Sequence, residues 1–247
     1  MLRVVDLFSG IGGFSLGLER TGGFQTVAFC EVDTFCQRVL AKHWPGVPIY
    51  GDIRGLTGDI LGRDGITIDA ICGGFPCQDV SYAGRRAGLE GARSGLWDEY
   101  RRLIGELRPR YVIVENSAEL LGDGLGDVLG DLAALRYDAV WECVPAAILG
   151  APHGRDRVWI VAYAQEVAGI HEPDIRDGLR RWLSDHRNAW ARCPWDAPAA
   201  AVCRVDDGIP DRVDRTGALG NAVIPQMPQL IGRAIIASTA VANEGGC

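Results

Sequence analysis

The chain has 247 residues, 47% of them hydrophobic and 23% charged, with a formal net charge of −7. That length suits one large domain, or one domain with a small appendage, and the composition is that of an ordinary globular protein. No uninterrupted apolar stretch reaches the roughly 18 residues of a membrane span, and the negative charge argues against broad, nonspecific nucleic-acid binding while leaving room for local arginine clusters.

Met1 runs almost directly into a first strand, so no signal peptide is expected. The eight cysteines are scattered and form no CxxC pair. Reduced intracellular thiols are expected, rather than a disulfide framework or a zinc site.

Residues 3–8 read as a first strand, Ser9-Gly10-Ile11-Gly12-Gly13-Phe14 as a glycine-rich turn, and residues 15–20 as the start of a helix. Strand, glycine turn and helix in that order suit a nucleotide cofactor, because glycine lets the backbone approach a ligand closely. The dinucleotide spacing GxGxxG is not met, since position 15 is Ser. A second strand, Thr26 to Phe29, ends in Cys30-Glu31-Val32-Asp33, with Glu31 lying 21 positions after Gly10. An acid at that place suits the hydroxyl pair of a ribose. The glycine turn alone is equally an ordinary tight turn; with Glu31 it favours a ribose-bearing cofactor.

A helix over 34–44 carries Phe35, Val39, Leu40 and Trp44 at helical spacing, and a short third strand over 48–50 leads to Gly51-Asp52-Ile53. Asp52 could accept a hydrogen bond from an adenine amino group, or cap the next element. Ile68, Ala70, Ile71 and Cys72 read as a buried fourth strand, stopped by Gly73, Gly74 and Pro76 just before Cys77. The carboxyl edge of an open α/β sheet is where ligands bind. Gly84, Gly88, Gly91 and Gly95 punctuate the loop that follows, with Arg85, Arg86 and Arg93 among them. Taken alone, Cys77 fits equally a nucleophile under a mobile lid and a buried structural thiol.

Residues 95–107 read as a helix, and Tyr111-Val112-Ile113-Val114 as an apolar central strand running into Glu115-Asn116-Ser117. A carboxylate at the end of a buried strand is costly unless it has a partner or a task. After a helix near 124–135 the pattern changes. Residues 138–149 and 157–163 are β-rich with no helix between them, which predicts an antiparallel pair closing the sheet. Arg155 and Arg157 flank Asp156 and so share one side. On the residues alone they are a surface charge pair.

From 164 to 203 the periodicity weakens, and Trp182, Trp190 and Trp195 mix with arginines and prolines. This predicts a small separate lobe, either a nucleic-acid contact or an irregular domain with tryptophan as its core. His171, His186, Cys193 and Cys203 lack metal-ligand spacing, so no metal is expected there. A polar segment over 204–217 leads through Gly220-Asn221-Ala222-Val223 into a last helix near 226–242. The expected organisation is a body over 1–163, a lobe over 164–203, and a segment over 204–247 that returns to complete the body.

In order, these motifs resemble those of the C5-cytosine DNA methyltransferases. Asp6-Leu7-Phe8-Ser9-Gly10-Ile11-Gly12-Gly13 looks like that family's cofactor loop, and Gly74-Phe75-Pro76-Cys77-Gln78-Asp79-Val80-Ser81 like its nucleophile motif. Glu115-Asn116 matches the start of its Glu-Asn-Val motif, Arg155-Asp156-Arg157 the end of Gln-x-Arg-x-Arg, and Gly220-Asn221-Ala222-Val223 its C-terminal motif. The chain departs from the pattern at His153, where the family has glutamine, at Ser117, where it has valine, and in the shortness of the lobe over 164–203.

The resemblance implies a Rossmann-like, S-adenosylmethionine-dependent methyltransferase fold of the α/β class, with a mostly parallel sheet and a small irregular second lobe. It implies methyl transfer to carbon 5 of a flipped-out cytosine in double-stranded DNA. Cys77, Glu115, Asn116, Arg155 and Arg157 are then the catalytic set. Phe8, Gly10, Gly12, Glu31, Asp52, Ile53, Pro76, Leu96 and Asn221 form the cofactor shell. It further implies a monomeric, cytoplasmic enzyme with a possible cognate restriction endonuclease. Two rivals share the scaffold: a transfer-RNA cytosine methyltransferase and a catalytically inactive DNA-binding relative. A nicotinamide-dependent oxidoreductase, suggested by the glycine turn alone, leaves Cys77, Glu115 and the arginines unexplained.

Overall fold

The computed structural model describes residues 1–76, 95–122, 124–149, 155–165 and 222–244, with the single positions 177, 178, 181 and 184. Cys77, the glycine-punctuated loop after it, His153, Asn221, the polar segment 204–217 and nearly all of the expected lobe lie outside the described residues.

The described strands form one sheet of seven in the order β3-β2-β1-β4-β5-β7-β6. They are β1 (Leu2–Leu7), β2 (Phe24–Cys30), β3 (Ile49–Tyr50), β4 (Ala70–Gly74), β5 (Tyr111–Ser117), β6 (Tyr137–Pro145) and β7 (Asp156–Ala164). The first five run parallel, and β7 is antiparallel to both β5 and β6. The antiparallel pair predicted from the missing helix is therefore present. Its first strand ends at Pro145, and Ala146–Leu149 forms a 3-10 turn instead of continuing it.

Helices cover both faces, as a parallel sheet requires. On one face α3 (Gly58–Arg63), α4 (Gly95–Leu107) and α5 (Leu125–Ala134) bury Leu61, Leu103, Ile104, Val128 and Leu132 against Val5, Leu7, Ile71, Val112 and Val114. On the other, α1 (Gly13–Glu19) and the C-terminal α6 (Gln226–Glu244) bury Phe14, Leu18, Met227, Leu230, Ile231 and Ile235 against Val4, Ala70, Cys72, Tyr111, Ile113 and Val161. Val4 and Val5 thus belong to opposite layers, the period-two rule of a strand. The helix α2 (Thr34–His43) ends in Trp44, whose ring meets Phe29 edge-on.

Two boundaries differ from expectation for a physical reason. Gly73 and Gly74 do not stop β4; both belong to it. A Cβ on Gly73 would lie 2.3 Å from the Leu7 carbonyl oxygen, and one on Gly74 would lie 2.5 Å from Glu115 Oε2. The glycines let β4 run unusually close to its neighbours on both sides. Strand β5 continues to Ser117, so Glu115 and Asn116 are strand residues, paired with Trp159 and Val158 of β7.

The last helix is seated by glycines of α1. A Cβ on Gly13 would lie 2.3 Å from the Val223 carbonyl oxygen, and one on Gly17 would lie 2.2 Å from that of Pro225. Gly17→Ala is therefore expected to destabilise the protein by about 1–3 kcal/mol through overpacking, outweighing the roughly 1 kcal/mol that alanine gains in helix propensity. Urea unfolding measures this; an unchanged or raised midpoint would contradict the close seating of α6.

Candidate active site

The carboxyl ends of β1, β2, β4 and β5 gather the described candidate residues along one edge. On the β1–β2 side, the chain leaves β1 at Phe8, which adopts a left-handed conformation with φ of 53°, as do Gly10 at 53° and Gly12 at 85°. A non-glycine residue in that region is strained, and such strain concentrates at functional loops. Ser9 anchors the turn: its hydroxyl donates to the Asp6 carbonyl at 2.6 Å. Glu31 ties the turn to β2. Its Oε2 accepts from the Gly10 N–H at 2.7 Å and its Oε1 from the Asp33 N–H at 2.8 Å.

These contacts refine the expected roles. Glu31 holds the loop itself, and each of its oxygens retains further acceptor capacity for a ribose hydroxyl. A Cβ on Gly10 would meet nothing within 4 Å, so the backbone there faces open space. Gly12 is needed for another reason: a Cβ there would strike the Trp44 ring at 2.5 Å. Asp52 accepts from the Arg54 N–H at 2.9 Å, a local turn contact, with its side chain 49% exposed; the cap of the next helix is Thr57 instead. Ile53 is buried, Leu96 half-buried and Pro76 exposed. An open glycine backbone, a carboxylate with spare acceptor capacity, a second exposed carboxylate and apolar neighbours form a donor and acceptor set that fits an adenosine-containing cofactor.

Asp6 was only part of a motif in the sequence, yet it organises this edge. It is fully buried, and its Oδ2 accepts from Ser15 Oγ at 2.7 Å and from Ser15 N–H at 3.3 Å. The N-cap of α1 is Gly12, which has no side chain to cap with. Asp6 supplies that cap from the neighbouring strand, and its charge favours the positive end of the helix. The signal available in the sequence was an acid inside Val4-Val5-Asp6-Leu7, an otherwise apolar strand. Below the turn, Phe8, Tyr100, Trp97 and Phe75 form a run of ring contacts, with successive centroids 6.3, 5.6 and 5.2 Å apart.

On the β4–β5 side, Asn116 Nδ2 donates to the Phe75 carbonyl at 3.0 Å, and its Oδ1 accepts from the Ser117 N–H at 2.8 Å. Asn116 is 2% exposed. It fixes the chain two residues before Cys77. Glu115 Oε1 pairs with Arg157 Nε at 2.8 Å, and the Glu115 side chain is 12% exposed. Burial raises the Glu115 carboxyl above its ordinary value although Arg157 and Arg155 pull it down. Burial, with Arg157 beside it, lowers that of Arg155. Glu115, Arg155 and Arg157 line one cavity with Val144, Trp159 and Val223. The two arginines therefore share a side as expected; Val223 comes from the C-terminal motif, and Trp159 is a lining residue the sequence did not single out.

Of the cysteines among the described residues, Cys30 is pushed up to about 12 by burial and by Glu31 and Asp52. Cys72 is pushed well up by burial and Asp6. Both are held as thiols, a poor state for a nucleophile. Among the described residues no His, Cys, Asp and Glu cluster could hold a metal ion, and no helix is long and apolar enough to cross a membrane.

The sequence profile of the C-5 cytosine-specific DNA methylases matches residues 2–179. The chain belongs to this family. It is 38% identical over 169 residues to the Type II methyltransferase M2.BsuMI of Bacillus subtilis, covering 65% of this chain and 42% of that protein. It is 33% identical over 177 residues to M.SsoII of Shigella sonnei, covering 69% and 45%. The chain thus spans less than half the length of these curated relatives. Among solved structures, it matches a protein provisionally described as a DNA modification methyltransferase from an E. coli prophage, with a TM-score of 0.57 and 27% identity, covering 70% of this chain and 49% of the other. Spodoptera frugiperda DNMT2 matches over 99% of this chain and 98% of its own, with a TM-score of 0.56 and 15% identity, which shows a shared fold.

The Asp6 carboxyl gives a pH prediction. Burial raises it from 3.8 to about 7, and Glu31 adds to the rise against the hydrogen bonds from Ser15. Its folded value lies above its unfolded one. Its contribution to stability is therefore fully present below the unfolded value and is lost as pH rises through the folded value. Relative to Asp6→Asn, the wild-type protein is expected to lose stability between about pH 4 and pH 8. Urea midpoints of both proteins across that range check this, and parallel curves would refute the burial of an ionising Asp6.

Proposed function

We propose that this chain is the catalytic body of a DNA (cytosine-5-)-methyltransferase. The observation that carries the reading is the pairing at the sheet edge. A buried carboxyl with a raised pKa, Glu115, is held by Arg157 in a cavity shared with Arg155. Its neighbour Asn116 holds the carbonyl of Phe75, immediately before Pro76-Cys77.

Carbon 5 of cytosine is a poor nucleophile. In the proposed cycle the Cys77 thiolate adds to carbon 6 and the ring electrons move toward nitrogen 3, where Glu115 in its acid form gives up its proton. Carbon 5 then has enamine character. S-adenosylmethionine, when bound, supplies the electrophilic methyl group. Phe8, Gly10, Gly12, Glu31, Asp52, Ile53, Pro76, Leu96 and Asn221 would hold it. A base removes the hydrogen from carbon 5, the electrons of that bond form the carbon 5–carbon 6 double bond, the Cys77 sulfur leaves carbon 6 with its electron pair, and nitrogen 3 returns its proton to Glu115. Arg157 orients Glu115, and Arg155 stabilises the base or an adjacent phosphate. The target atom is inaccessible within a duplex, so the cytosine must leave the stack.

The substrate of the proposal is double-stranded DNA, with sequence choice assigned to the region 164–203. A cognate restriction endonuclease, a monomeric state and a cytoplasmic location complete the reading. The likeness to DNMT2 structures, at 15–16% identity, is one of fold and does not favour transfer RNA.

Bisulfite sequencing of DNA from cells expressing the chain tests the activity. With fluorocytosine at a methylated site, the hydrogen on carbon 5 is replaced by fluorine and elimination is blocked. An adduct that needs S-adenosylmethionine and survives denaturing electrophoresis is expected, attached at Cys77 and missing from Cys77→Ala. Glu115→Gln is expected to lower turnover by about 10²–10⁴-fold, the usual share of a general acid. An adduct on another cysteine, or none at a verified site, would overturn this mechanism.

A further inference from the structure

We propose that Arg102 is a positioning residue for the cofactor, clamping the turn at Asp52–Gly58 against α4. This rests on the reading above that Asp52 and Ile53 wall the adenine side of the cofactor site.

The guanidinium is engaged at every nitrogen. Nη2 donates to the carbonyl oxygens of Ile53 at 3.1 Å and Leu56 at 2.8 Å. Nε donates to Glu99 Oε2 and Nη1 to Glu106 Oε1, each at 2.7 Å. Glu99 and Glu106 lie on α4 itself, three residues before and four after Arg102. The helix therefore aims the guanidinium, and the turn receives it. Glu106 adds a second tie, since its Oε2 accepts from the Gly58 N–H at 2.8 Å.

The turn has few other anchors. Its own bonds are local, from Arg54 N–H to Asp52, Gly55 N–H to the Asp52 carbonyl and Leu56 N–H to the Ile53 carbonyl. Those bonds shape the turn but do not place it against the sheet. Burial of Ile53 and Leu56 presses it on the core, at 3% and 1% exposure, and the two Arg102 bonds set its position along α4. Helix α4 also carries Leu96, another residue of the expected cofactor shell. Arg102 thus joins two walls of one site. Only a planar fork can meet two carbonyls and two carboxylates at once; a lysine ammonium is a single point.

The test is calorimetric titration of S-adenosylmethionine into the full chain, with steady-state methylation of DNA alongside. Arg102→Met is expected to weaken cofactor binding about tenfold, the scale of losing charge-assisted hydrogen bonds. The turnover number at saturating cofactor and the KM for DNA should stay within about twofold, because only the cofactor wall is loosened. Arg101→Met, one residue away on α4, should leave cofactor affinity unchanged. Arg102→Lys restores the charge beside Glu99 and Glu106, and with it the thermal midpoint, but should leave cofactor binding weak. It also carries the test should Arg102→Met fail to fold. Recovery of affinity together with stability in Arg102→Lys would overturn the proposal, making Arg102 an ordinary structural residue. So would unchanged affinity in Arg102→Met while Asp52→Ala weakens binding. If Asp52→Ala and Arg102→Met both bind as the wild type does, the adenine-wall reading itself falls.

Discussion

The glycine turn at the sheet edge depends on one buried carboxylate. Asp6 sits at the end of a central strand with no exposure, and Ser15 N–H and Oγ are its hydrogen-bond donors. Burying an acid is costly, and here the cost is offset by what it permits. The first turn of α1 is capped from the strand, so its own N-cap can be glycine. A glycine there allows both the left-handed backbone and the closeness of the Trp44 ring. With the cap supplied from below, the upper surface of the turn carries no side chain at Gly10 and opens to a ligand. Glu31 then fastens the turn to β2 through the Gly10 N–H. Two acids, one near the end of β1 and one just past β2, divide the work, the first holding the helix and the second the loop.

The β4–β5 side uses the same economy of contact. Gly74 lies directly beside Glu115 in the parallel register, and its missing side chain is the space the Glu115 carboxylate fills. Arg157, from an antiparallel strand, completes the pair. The reversal of direction at β7 matters here. A parallel β7 would place its amino end, and with it Asp156 and Arg157, at the opposite edge of the sheet. Because β7 runs antiparallel, its first residues arrive beside the carboxyl end of β5, where Ser117 pairs with Arg157. The change of pattern after α5 is thus a means of bringing cations to the edge where the acid is.

Much of this was legible in the sequence, and the parts that were not share a cause. Strand–helix alternation, the antiparallel closure and the placing of Glu31, Asp52 and Glu115 at strand ends follow from local pattern, because apolar runs and their polar ends are local properties; the arginine pair reads as a surface pair on that pattern, and only the family resemblance drew it to the site. Tertiary contact decides the rest. Gly73 and Gly74 look like strand breakers until the Leu7 carbonyl and Glu115 are seen against them. Gly12 also leaves room for the Trp44 ring, a demand that no local pattern reports. Arg102 and Trp159 owe their roles to partners far away in the chain, and Asp6 to a helix start nine positions on, none of which periodicity reports. The family profile reaches residue 179, and the expected recognition lobe is the part where neither periodicity nor motif offered a single reading.

The return of the chain joins the two sides of the site. Residues 222–224 line the cavity of Glu115, Arg155 and Arg157. The same segment meets the end of the glycine turn, since the Val223 carbonyl oxygen is the atom a side chain at Gly13 would strike. Helix α6 continues from it across Gly17 and buries Met227, Leu230 and Ile231 on the sheet. A displacement of this segment would therefore loosen the start of α1 and the wall of the Glu115 cavity together. The first and last parts of the chain form a single structural unit at the site, although more than 200 positions separate Gly13 from Val223.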